Sequence, residues 1–182
     1  MSKELLRERL RIARPSTGKG IPVANEAAMK ANFVEYGRRL EKLEEVAASL
    51  PQGSVAVCAG DVSVHADAKR MVQTAFEFGG RLDVLVNNAA IDPGGTVVDL
   101  DPDLWHKVLE TNLTGPFYTM KEAIPLMIEG GGGSLVNVAS LAGVRCLPSM
   151  AAYCSSKVGL IMLTQQAALD FGPAKVRCNA VL

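Results

Sequence analysis

Ser134-Leu135-Val136-Asn137-Val138-Ala139 is a short apolar run that ends at a polar residue, Ser140. Beyond it, Ala151 to Phe171 is long and apolar enough for a helix, and Val176-Arg177-Cys178-Asn179-Ala180-Val181 is a second strand-length run. Strand, helix, strand is the pattern of a crossover that lays its two strands parallel. Working back along the chain, Leu82-Asp83-Val84-Leu85-Val86 and Val55-Ala56-Val57-Cys58-Ala59 repeat the pattern. Between these two runs, Val64 to Phe78 carries Ala68, Met71, Val72, Ala75 and Phe76 at helical spacing. Asp101 to Met127 reads as mostly helical, with breaks or starts at Pro116 and Pro125. The expected class is α/β, with helices on a parallel sheet of about four strands. Glu129 to Gly133 is a flexible turn; it precedes a strand, whereas a phosphate loop follows one and opens a helix.

The first fifty residues read differently. From Met29 the apolar positions Phe33, Tyr36, Leu40, Leu43, Val46 or Ala47, and Leu50 recur at intervals of three and four. That stripe predicts a helix from an N-cap at Asn25 to the stop at Pro51. The same residues allow a second reading, in which Phe33 to Tyr36 is a strand and Gly37-Arg38-Arg39 the turn after it. Periodicity favours the helix. Residues 1–24 are expected to form an irregular segment, and residues 25–182 one domain.

Composition removes several function classes. The 182 residues are 48% apolar and 21% charged, with 19 basic against 19 acidic side chains. A zero balance argues against a nucleic-acid binder, and 5% aromatics are too few for stacking platforms. No apolar run reaches the roughly 18 residues of a membrane span, and no secretory segment opens the chain. Cys58, Cys146, Cys154 and Cys178 form no C-x-x-C pair, and His65 and His106 add few metal ligands. A cytoplasmic protein without metal, nucleic-acid or membrane partners is expected.

Tyr153-Cys154-Ser155-Ser156-Lys157 puts a phenol and an ammonium on one helix face. A nearby ammonium favours phenolate and tunes a phenol toward proton transfer; the plainer alternative is a surface pair. Of the three tyrosines, only Tyr153 has a lysine four residues on. Ser140, thirteen residues earlier, stands at the C-terminal end of an expected parallel strand, where ligand sites of such sheets lie. Its hydroxyl can bond a substrate carbonyl or cap a turn.

Asn87-Asn88-Ala89-Ala90, Asn112, Ser140 and Tyr153-x-x-x-Lys157 together resemble the classical short-chain dehydrogenase/reductases. Gly60-Asp61-Val62, Glu110-Thr111-Asn112-Leu113 and the Val176–Val181 run fit the same pattern, so that the resemblance covers roughly residues 37 to 182. It implies a Rossmann-like three-layer fold, present only in part, and an oxidoreductase that uses NAD or NADP on a carbonyl or secondary alcohol. Tyr153 would be the acid-base, Lys157 would tune it and hold the nicotinamide ribose, and Ser140 would polarise the carbonyl. Asn112, held by a kinked helix, would anchor a relay water. Asp61 and the Val62 backbone would meet the adenine, while Asn88, Ala89 and Ala90 would line the adenosine ribose. Under the strand reading, Arg38 or Arg39 would bind a 2′-phosphate and favour NADP. The family also implies a homo-oligomer.

The sequence departs from the family pattern in three places. Its Gly-rich phosphate turn is represented only by Thr17-Gly18-Lys19-Gly20-Ile21-Pro22, two residues short in its first spacing and with Pro22 in the place of a glycine. This stretch reads as a loop, and cofactor binding is expected to be millimolar or weaker. If the family's first two strands are lacking, the third moves beside the fourth or leaves an open edge. The family's substrate loop and last strand also have no counterpart here, so the substrate is not legible. The alternative is a truncated, non-catalytic relative that acts by association with other subunits.

Overall fold

The computed structural model describes residues 33–50 and 52–182. Within them β1 (Phe33–Gly37), α1 (Leu40–Ala48), β2 (Val55–Ala59), α2 (His65–Gly79) and β3 (Val84–Asn87) come first. Then follow α3 (Pro102–Leu109), α4 (Gly115–Glu129), β4 (Gly133–Val138), α5 (Ala151–Phe171) and β5 (Val176–Val181). Every ladder is parallel: β1 pairs with β2, and β3, β4 and β5 form a three-stranded sheet in that order. The α/β class and the helix-flanked parallel sheet are as expected, with five described strands rather than four. No helix among the described residues is long and apolar enough to cross a membrane.

The expected helix from Met29 to Leu50 is corrected. Phe33–Gly37 is a strand, and the helix starts only at Leu40, after an extended Arg39. The stripe is real from Leu40 on, where Leu43 is buried. Upstream, a distant partner overrides local spacing: Phe33 to Gly37 pair in register with Val55 to Ala59, and Val34 packs on Cys58, Val62 and Met71. The expectation for the strand at 55–59 is corrected with it. That strand neither moves beside β3 nor stands alone; it pairs with β1. Residues 1–24, with the Thr17–Pro22 stretch, and the proposed cap at Asn25 lie outside the described residues.

Among the described residues two apolar clusters form the core. The larger gathers Leu82 just before β3, Leu85 of β3, Met120 and Met127 of α4, Leu135 of β4, Ala167 of α5 and Val176 of β5. The smaller is Cys58, Val62 and Met71. Helix α2 serves both, since Met71 lies in the small cluster while its neighbour Val72 lies in the large one.

One irregularity shapes the site. Between α3 and α4, Glu110–Thr114 forms a wide π-type turn, closed by the Gly115 N–H on the Glu110 carbonyl. Pro116 has no N–H to give the Asn112 carbonyl four residues back, so a regular ladder cannot run through this point. Gly115 also lets the helix cross closely over β2's end: a Cβ there would lie 3.0 Å from Val62 Cγ2.

Candidate active site

The residues singled out in the sequence lie at the C-terminal ends of the strands or on the helices and turns packed beside them, as the topology of parallel sheets requires. Ser140 follows β4 and caps the short turn Leu141–Gly143, its Oγ accepting from the Ala142 N–H at 3.1 Å. Both readings of Ser140 are thus compatible, because capping uses a lone pair and leaves the hydroxyl proton to donate. The turn packs on α5. A Cβ at Gly143 would lie 3.1 Å from the Lys157 carbonyl carbon and 2.6 Å from Ile161 Cδ1, so only glycine brings Ser140's turn this close to Lys157.

Tyr153 and Lys157 sit on successive turns of α5, with the Lys157 Nζ 5.5 Å from the phenol ring centroid. Lys157 is 2% exposed and its Nζ donates to the Val138 carbonyl at 2.7 Å. Burial pulls its ammonium down from the ordinary lysine range to about 8. The sign of the linkage follows. Below about pH 8 both folded and unfolded chains hold the proton, and the full cost of burying a charge is present. Between about 8 and the ordinary 10.5 only the unfolded chain holds it, so this group makes stability rise with pH. The Tm of Lys157→Met minus that of the unaltered chain is therefore expected to fall as pH climbs through this window. Thermal melts from about pH 6 to 10 measure it, and a flat difference would contradict the buried ammonium.

Asn112 is fully buried in the wide turn. Its Oδ1 accepts from the Ile91 N–H at 2.8 Å and its Nδ2 donates to the Ile91 carbonyl at 2.9 Å, clamping the loop after β3. The same Nδ2 donates to Ser156 Oγ on α5 at 3.1 Å. The far end of that loop is fixed too: Gly95 N–H donates to the Ser149 carbonyl at 2.7 Å, and Ala151 N–H to the Gly95 carbonyl at 3.1 Å. Asn88, Ala89 and Ala90 begin this loop, with Ala89 and Ala90 exposed.

Asp61 and Val62 follow β2, and Arg38 follows β1. Asp61 Oδ1 accepts from the Ser63 N–H at 3.0 Å and from Ser63 Oγ at 2.7 Å, shaping the turn, while Oδ2 lies 3.9 Å from Arg38 Nη1. The Asp61 N–H donates to Asp67 at 2.8 Å; with Arg70 it holds the Asp67 carboxyl below the usual carboxylate range. Val62 is buried against α4 at Gly115. The donor set suits a dinucleotide. An exposed cation, Arg38, stands beside the Asp61 carboxylate, Ala89 and Ala90 are small and exposed, and Lys157 commits one N–H to Val138.

The family model described as short chain dehydrogenase matches residues 16–182. The chain belongs to the short-chain dehydrogenase/reductase family. It is 35% identical to 2-(S)-hydroxypropyl-CoM dehydrogenase 3 of Xanthobacter autotrophicus, over 100% of this chain and 72% of that one. It is 37% identical to 3beta-hydroxysteroid dehydrogenase of Mediterraneibacter gnavus, over 91% of this chain and 61% of that one. A solved structure described as a short-chain dehydrogenase/reductase from Burkholderia xenovorans superposes with a TM-score of 0.75 at 35% identity, covering 82% of this chain and 60% of that chain.

This short-chain dehydrogenase/reductase also contains a polar network that the sequence reading missed. Asn87 of β3 and Asn137 of β4 are buried and bonded, Nδ2 to Oδ1, at 2.9 Å. Thr119 of α4 donates to Asn87 at 2.6 Å, and Asn137 donates to Thr164 of α5 at 2.8 Å. The available signal was an asparagine inside one apolar run, Asn137, and one directly after another, Asn87, which burial permits only with partners.

Proposed function

We propose that this chain carries the catalytic and dinucleotide-binding residues of an NAD(P)-dependent oxidoreductase that interconverts a carbonyl and a secondary alcohol. The observation that carries this reading is Lys157: an ammonium buried beside the Tyr153 ring, fixed on Val138, and packed against the turn of Ser140. A structural role alone gives no reason to bury this charge at a sheet's ligand edge. Bound nicotinamide would supply the hydride to the carbonyl carbon or accept it from the alcohol carbon. In the reducing direction Tyr153 gives its phenol proton to the carbonyl oxygen, and in the oxidising direction it takes that proton back. The Ser140 hydroxyl donates to the same oxygen, and Lys157 places a positive charge beside the phenol ring. Asn112 holds the loop of Asn88, Ala89 and Ala90, which lines the adenosine ribose. Titration of NADH and NADPH into the chain, carried to concentrations high enough to reveal weak binding, tests the reading; no binding of either, together with no turnover on ketones, would defeat it.

Arg38 supports NADP over NAD, because its guanidinium is exposed at the end of β1 beside Asp61. Guanidinium pairs with phosphate through charge-assisted bonds of about 1.5–3 kcal/mol. Arg38→Ala is expected to weaken NADPH at least about tenfold while leaving NADH nearly unchanged. Equal losses for both cofactors, measured by nicotinamide fluorescence, would argue against the assignment.

A homo-oligomer is the proposed assembly. Phe117 on α4 and Val158, Met162 and Leu169 on α5 are exposed apolar side chains. Light scattering at micromolar concentration is expected to give a dimer or tetramer mass, and a monomer mass would count against it.

A further inference from the structure

Besides the bond from the Ala151 N–H to the Gly95 carbonyl at its far end, the loop after β3 is tied to α5 beside Tyr153 through the Ser156 hydroxyl. Ser156 is fully buried, three residues after Tyr153 and one before Lys157. Its Oγ donates to the Tyr153 carbonyl at 2.7 Å and accepts from Asn112 Nδ2 at 3.1 Å. A serine hydroxyl has one proton. With that proton on the Tyr153 carbonyl, the oxygen meets Asn112 with lone pairs, as the amide donor needs. Asn112 in turn holds both backbone groups of Ile91. The neighbouring serine is a useful contrast. Ser155 is exposed, and its hydroxyl bonds only the Ala151 carbonyl of its own helix at 2.8 Å.

We propose that Ser156 is a positioning residue that couples the dinucleotide loop Asn88 to Ile91, through Asn112, to the turn of α5 that carries Tyr153 and Lys157. The proposal rests on the dehydrogenase reading. Ser156→Ala removes the acceptor and leaves an amide proton of Asn112 unpaired in a dry site. The clamp on Ile91 then loosens, and the loop loses its fixed placement relative to the phenol. A serine that merely filled the helix interior would change melting temperature alone.

The test uses the full 182-residue chain. Amide hydrogen exchange is followed by NMR in the unaltered chain and in the Ser156→Ala and Ser155→Ala variants, without ligand. The Ile91 amide is expected to exchange about tenfold faster in Ser156→Ala, with Val136 of β4 unchanged and Ser155→Ala like the parent. With NADPH and a panel of simple ketones, Ser156→Ala is expected to raise the KM for NADPH and lower kcat, each several-fold. Unchanged exchange at Ile91, or the same acceleration in Ser155→Ala, overturns the coupling. Turnover that survives Tyr153→Phe overturns the dehydrogenase reading itself, whatever Ser156 does, and removes the reaction that Ser156 is proposed to serve.

Discussion

Tyr153→Phe is expected to lower turnover by about 10²–10⁴-fold, the usual worth of a positioned acid-base group. Phenylalanine keeps the ring that lies 5.5 Å from the Lys157 ammonium, so the packing of α5 is preserved and only the hydroxyl is lost. Circular dichroism and the heat of NADPH binding should match the parent. Because the proposed mechanism has a single proton donor, unchanged kcat on ketones in this variant would remove Tyr153 from the chemistry.

The largest stability effect is expected at Asn137. Its side chain is fully buried and bonds Asn87, Thr164 and, at 3.4 Å, the sulfur of Met120. Asn137→Ala opens a void and strands the Asn87 amide donor, which together should cost about 2–4 kcal/mol. For a chain of this size that lowers Tm by roughly 5–15 °C. Ser134 on the same strand supplies the contrast: it is buried, yet its hydroxyl has no hydrogen-bond partner in the structure. Ser134→Ala should be neutral or slightly stabilising, since it removes an unpaired polar group. Equal melting temperatures for Asn137→Ala and the parent would show that the network contributes nothing.

Legibility in the sequence tracked whether a signal was local. Helix α5 and strand β5 carry their own patterns, and their bounds, Ala151–Phe171 and Val176–Val181, coincide with those expected. Tyr153 and Lys157 were legible because a fixed helical spacing brings them together. Strand β1 was not, because the stripe through Phe33 and Tyr36 fits a helix locally. Its pairing with Val55–Ala59 is the non-local fact that decides the matter. Ser156 carries no local signal either. Its partner Asn112 is 44 residues away, and a serine in a helix otherwise reads as filler. The Val138 carbonyl that fixes Lys157 is a backbone group and leaves no residue-type signature.

The placement of Met71 and Val72 in different cores has a consequence for how this molecule opens. The described ladders run as two sheets, and α2 reaches into both cores. Among the described residues the unit of β1 and β2 has less apolar packing than the unit of β3, β4 and β5, which lowers its expected opening free energy. A ligand that touches Arg38 and Asp61 at one end and Lys157 at the other spans both cooperative units. Its apparent affinity is the intrinsic affinity multiplied by the fraction of molecules in which the smaller unit is docked. Side chains of α2 that never meet the ligand thereby set part of its affinity, and the ligand in turn acts as a staple that raises the opening free energy of the weaker unit.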